Sequence, residues 1–69
     1  MDAKEWIEKY AQELGVEAPP QADVDAILEL AGAAAHGSER TAAPVACWMA
    51  NATGRPLDEL LKIAQEIGD

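Results

Sequence analysis

Apolar residues recur every three or four positions along most of the chain, and Gly or Pro breaks the pattern between the runs. In the first run, from about Asp2 to Leu14, Trp6, Ile7, Tyr10 and Leu14 share one face, while Lys4, Glu5, Glu8, Lys9 and Glu13 cover the rest. That spacing predicts an amphipathic helix. Glu5 and Lys9 stand four apart in the favourable order for an ion pair. Gly15 is suited to end the helix, because a residue without Cβ enters the left-handed region at little cost. Gly15 to Pro20 is a linker that Pro19 and Pro20 hold extended.

A second helix is expected from about Gln21 to His36, with Val24, Ile27, Leu28, Ala31 and Ala35 as its apolar stripe, and Leu30 and Ala34 widening it. Asp23 and Asp25 fall near its positive end, where anionic side chains stabilise. The run Ala31-Gly32-Ala33-Ala34-Ala35 is small on every side and predicts a tight helix crossing. Gly37 is expected to end this helix, and Ser38 to Thr41 make the turn. The third helix, about Thr41 to Thr53, admits Pro44 in its first turn, where amides lack intrahelical partners anyway. Val45, Trp48, Met49 and Ala52 repeat at helical spacing and predict its core stripe; Gly54 closes it. The fourth helix has Pro56 at its first position, Asp58 and Glu59 in its first turn, and Gly68 after its last. Leu57, Leu60, Leu61, Ala64 and Ile67 are expected to face inward, and Asp58 with Lys62 to form another i,i+4 pair. No alternation of the strand type occurs. The fold class is therefore all-α: a compact four-helix domain with short Gly- and Pro-containing connections, one domain over 1–69.

Composition narrows what such a domain can do. Thirteen acids against five bases give a net charge of −8, which removes the cationic footprint needed for nucleic acid or an anionic membrane surface. No segment is long and apolar enough to span a bilayer, and the acidic N-terminus is not a signal peptide, so a cytoplasmic location is expected. Cys47 is the only cysteine, which excludes an internal disulfide and makes it a small buried hydrophobe by expectation. A chain this short buries only about 60% of its unfolded surface. Its core therefore depends on its few bulky residues, Trp6, Tyr10, Trp48 and Met49.

Candidate chemistry is sparse. One His and one Cys, eleven residues apart, do not make a zinc site. No glycine lies in a phosphate loop followed by Lys and Ser or Thr, and no calcium loop is present. An acidic four-helix chain invites comparison with acyl carrier proteins, but these need a Ser within Asp-Ser-Leu, whereas the lone Ser38 sits in Gly37-Ser38-Glu39. No catalytic residue, metal ligand or cofactor is expected. The segment from Ala35 to Pro44 concentrates His36, Ser38, Glu39 and Arg40 between two apolar helices. A structural account makes His36 a partner of helix-end carbonyls and Ser38 or Thr41 a cap of the next helix. A functional account has His36, Glu39 and Arg40 contact a partner, Arg being suited to bidentate recognition. Trp6 and Trp48 join that candidate surface, since an exposed Trp marks an interface.

The middle of the chain also carries a resemblance. Asp23 to Ala31, then Ala35-His36-Gly37, Glu39-Arg40 and Ala42 to Ala46, resemble a small uncharacterised helical domain of actinobacteria. The resemblance covers most of the chain and is most specific at His36-Gly37, Arg40 and Ala43-Pro44; Thr41 departs from the Pro that relatives carry after the Arg. Members of that family occur as short stand-alone chains, or fused C-terminal to molybdenum cofactor guanylyltransferase-like domains. The family has no established activity, so no catalytic residue carries over. What the resemblance implies is a non-catalytic protein-interaction module, an accessory subunit or maturation factor whose partner is a molybdoenzyme or a cofactor-biosynthesis protein. Two alternatives remain beside it: a homodimer whose partner copy completes the thin core, and a small module binding an anion through His36 and Arg40.

Overall fold

Local chemistry sets several of the helix ends in this chain. The computed structural model describes residues 1–67, and among these it holds four helices and no strand: α1 Ala3–Leu14, α2 Gln21–Gly37, α3 Ala42–Thr53 and α4 Leu57–Ile67. The predicted all-α, four-helix architecture is the one observed. Asp2 caps α1, its side chain accepting from the Glu5 amide at 2.8 Å. Gly15 and Gly54 end α1 and α3 with φ of 74° and 69°, the left-handed conformation that glycine adopts without strain. Gly68 lies outside the described residues.

Several local expectations are corrected. Gly37 is the last residue of α2 and has no positive φ; the Ser38 amide still donates to the Ala34 carbonyl at 3.0 Å, so the ladder runs through the glycine. Neither Ser38 nor Thr41 caps α3. Thr41 is itself helical, its hydroxyl donates to Glu39 Oε2 at 3.4 Å, and tight bonds from Ala42 and Ala43 back to the Glu39 and Arg40 carbonyls start the helix instead. The Glu5–Lys9 and Asp58–Lys62 pairs do not form. The ion pair among the described residues is Arg55–Glu59, also i,i+4. Such exposed pairs are worth a few tenths of a kcal/mol, too little to hold long side chains in one place.

The long helix α2 is the spine. It packs against α3 and against α4, whereas α1 shares no extensive contact with any of them, nor do α3 and α4 with each other. Leu30 on α2 and Leu60 on α4 are the buried large residues, with Ala11 the buried residue of α1. The chain measures 38 × 24 × 18 Å with a radius of gyration of 12.7 Å, against about 11 Å for a typical domain of this length. It exposes 5560 Å², where a monomer of its 7.3 kDa mass exposes about 4,200 Å².

The orientation of α3 reverses the expectation. Val45, Trp48, Met49 and Ala52 are exposed, Trp48 by 79%, and the half-buried residues are Ala42, Ala43, Ala46, Cys47 and Ala50. The physical reason is that α3 carries no Asp, Glu, Lys, Arg or His and is apolar or small all round. Its periodicity therefore supports two opposite faces, and packing chose the small one, which lets α3 approach α2 closely. Trp6, Tyr10 and Leu14 on α1, Leu28 on α2 and Ile67 on α4 are likewise exposed, so the bulky residues expected to build the core do not build it. Cys47 is half-buried rather than enclosed. The tight crossing expected at the small-residue run is not made at Gly32, where an added Cβ would meet nothing within 4 Å.

Candidate interaction surface

Because α3 and α4 each lie on α2 but not on one another, a groove opens between them. Leu30 and Leu60 line it together with Met49 on α3 and Ile63, Ala64 and Ile67 on α4, and it encloses about 320 Å³. A second cleft of about 470 Å³ shares Leu30, Leu60 and Arg55 with it and continues toward the start of α2, adding Asp23, Cys47 and Asn51. Arg55 borders both, its Nε donating to Glu59 Oε1 at 3.0 Å. The sequence explains Asp23 by its helix start and Glu59 by the first turn of α4, and gives no reason to single out Asn51. The signal for Arg55 is its place four residues before Glu59, the spacing of an ion pair.

Helix α1 carries an aromatic pair. Trp6 and Tyr10 lie one turn apart with ring centroids 5.0 Å from each other and planes tilted by 34°. Both are more than half exposed, and the shallow depression beside them is lined by Lys9 and Glu13. A further cleft of about 360 Å³ separates α1 from the beginning of α2, with Ile7, Pro19 and Val24 among its walls.

The predicted surface residues are all exposed, but they are not gathered into one site. His36 is in the last turn of α2, and Glu39 and Arg40 are in the turn that follows. None of these three lines the clefts just described. Trp48 lies on the outward side of α3. Trp6 lies on α1, whose first half borders Val24; His36 is twelve residues further along α2, about 18 Å at 1.5 Å per residue. The α1 face is therefore remote from the turn, and Trp48 lines none of the clefts described above.

No polar or charged side chain is buried among the described residues, and no three His, Cys, Asp or Glu side chains there are placed to share a metal ion. No helix among them is long and apolar enough to cross a membrane. The clefts thus offer apolar walls with polar groups at the solvent boundary.

Residues 1–67 match the family model described as a domain of unknown function, DUF6457, and the chain belongs to that family. No curated protein and no solved structure matches the chain.

Proposed function

We propose that this chain is a non-catalytic, cytoplasmic docking module that presents the aromatic face of α1 to a partner protein. The observation that carries the reading is the Trp6–Tyr10 pair, exposed on a helix that scarcely packs on the rest of the molecule. Trp and Tyr dominate binding hot spots, and a charged rim such as Lys9 and Glu13 is typical of contacts that form and dissociate. Catalysis in contrast needs polar groups held in a water-excluded pocket, and the polar side chains here stand at the surface. His36, Glu39 and Arg40 supply a smaller second contact from the α2–α3 turn.

The resemblance of the Asp23–Ala46 region supports a finer reading. The partner is a molybdoenzyme or a protein of molybdenum cofactor biosynthesis, and the chain is an accessory subunit or maturation factor. Co-purification with the tagged chain from its native host tests both levels. The expected result is a molybdenum-related protein whose recovery falls about tenfold with Trp6→Ala or Tyr10→Ala, and less with His36→Ala or Arg40→Ala. Recovery of an unrelated partner removes the molybdenum reading alone; recovery of the chain by itself removes the docking reading.

A further inference from the structure

We infer that the outward face of α3 and the groove beside it are covered by a second copy of this chain, in a two-fold symmetric dimer with Trp48 and Met49 near the axis. Three observations carry this. The first is area. The chain exposes 5560 Å², an excess of about 1,400 Å² over a monomer of its mass. A stable interface takes about 800 Å² from each partner, so the excess is sufficient for one. Val45, Trp48, Met49, Ile63 and Ile67 are exposed on α3 and α4 and are available to supply it.

The second observation is the kind of surface. Ala42–Thr53 contains no Asp, Glu, Lys or Arg; depletion of charge with enrichment of Trp and Met marks the buried centre of an interface, and homodimer interfaces are the more apolar class. The third is where the charge sits. Eight of the thirteen acids but only two of the five bases precede Leu30, so six of the eight net negative charges lie on α1, the linker and the first half of α2. Along Arg55 and α4, Arg55 is paired with Glu59, and Asp58, Lys62 and Glu66 leave a net charge of only −1. A foreign partner would find little net charge there to attract it. A second copy would meet a surface as nearly neutral as its own, with most of the acidic residues of both chains on other segments. Repulsion over more than about 10 Å is then screened by salt. Helix α1 and the α2–α3 turn stay free, so the dimer presents two copies of the docking face proposed above.

Sedimentation equilibrium of the full chain, from about 1 to about 100 μM, reads the result directly. The expected mass is twice 7.3 kDa, and Trp48→Glu or Met49→Lys weakens association by more than about tenfold, while Trp6→Ser leaves it unchanged. If those α3 variants unfold, the melting temperature of the unaltered chain decides: it rises with chain concentration for a dimer and is constant for a monomer. A monomer throughout that range overturns the inference. So does a dimer abolished by Trp6→Ser but not by Trp48→Glu, or a monomer whose Trp48 amide gains exchange protection only when a different protein is added. The docking reading stands apart, since a monomer that still co-purifies with its partner sinks only the dimer.

Discussion

Helices α1 and α3 are each twelve residues long, and each presents a Trp to solvent, yet they do so for different reasons. On α1 charged residues hold the orientation, with Ile7 and Ala11 turned inward and Trp6 and Tyr10 left at the margin of a strongly amphipathic helix. On α3 no charge favours either side, and small residues won the contact with α2 because they permit closer approach. An exposed aromatic therefore means different things in the two places. On α1 it sits among charges that suit a wet, reversible contact. On α3 it sits in a charge-free face that suits a permanent one.

The contrast between a packed three-helix unit and a loosely attached α1 can be broken by experiment. Leu30 joins α2 to both α3 and α4 and is only 4% exposed. Leu30→Ala should cost about 2–3 kcal/mol, the low part of the usual range because open space already adjoins the side chain. Ile7→Ala on α1 should cost about 1 kcal/mol. Urea unfolding compares them, and equal losses would show that α1 is as integral as the rest.

Next in size are the two glycine stops. Gly15 and Gly54 both have positive φ and open space where a Cβ would go, so substitution by Ala strains the backbone alone, by about 1–2 kcal/mol. Gly54→Ala should lower the global unfolding midpoint, whereas Gly15→Ala should appear chiefly as lost α1 helicity in circular dichroism. A full global loss for both would erase the distinction. Asp2→Ala removes the cap on the Glu5 amide and should destabilise the first turn of α1 by about 1 kcal/mol. The sharpest readout is faster hydrogen exchange at Glu5, with α2 amides unaffected. The smallest effect belongs to Arg55→Ala, which breaks a pair in which each side chain is nearly half exposed. It should cost no more than about 0.5 kcal/mol and disappear at high salt. A larger loss would mean that Arg55 props open the groove.

Much of the fold could be read from residue order because its determinants are local. Gly15 and Gly54 as stops, Pro44 in a first turn and the alternation of charge and apolar residues on α1 and α4 all act within a turn or two of helix. The candidate surface was legible only in part. His36, Glu39, Arg40, Trp6 and Trp48 are exposed, but nothing local says that Trp6 lies far from the turn, or that Arg55 and Leu30 border the same clefts.

Residue order alone determined four helices, their ends and a charge of −8, since propensity, capping and ionisation belong to each residue and its near neighbours. Tertiary structure alone decided which side of α3 turned inward and that α3 and α4 would part to leave a groove. A helix apolar all round has no preferred face until a neighbour selects one, and that selection depends on how closely two surfaces can pack.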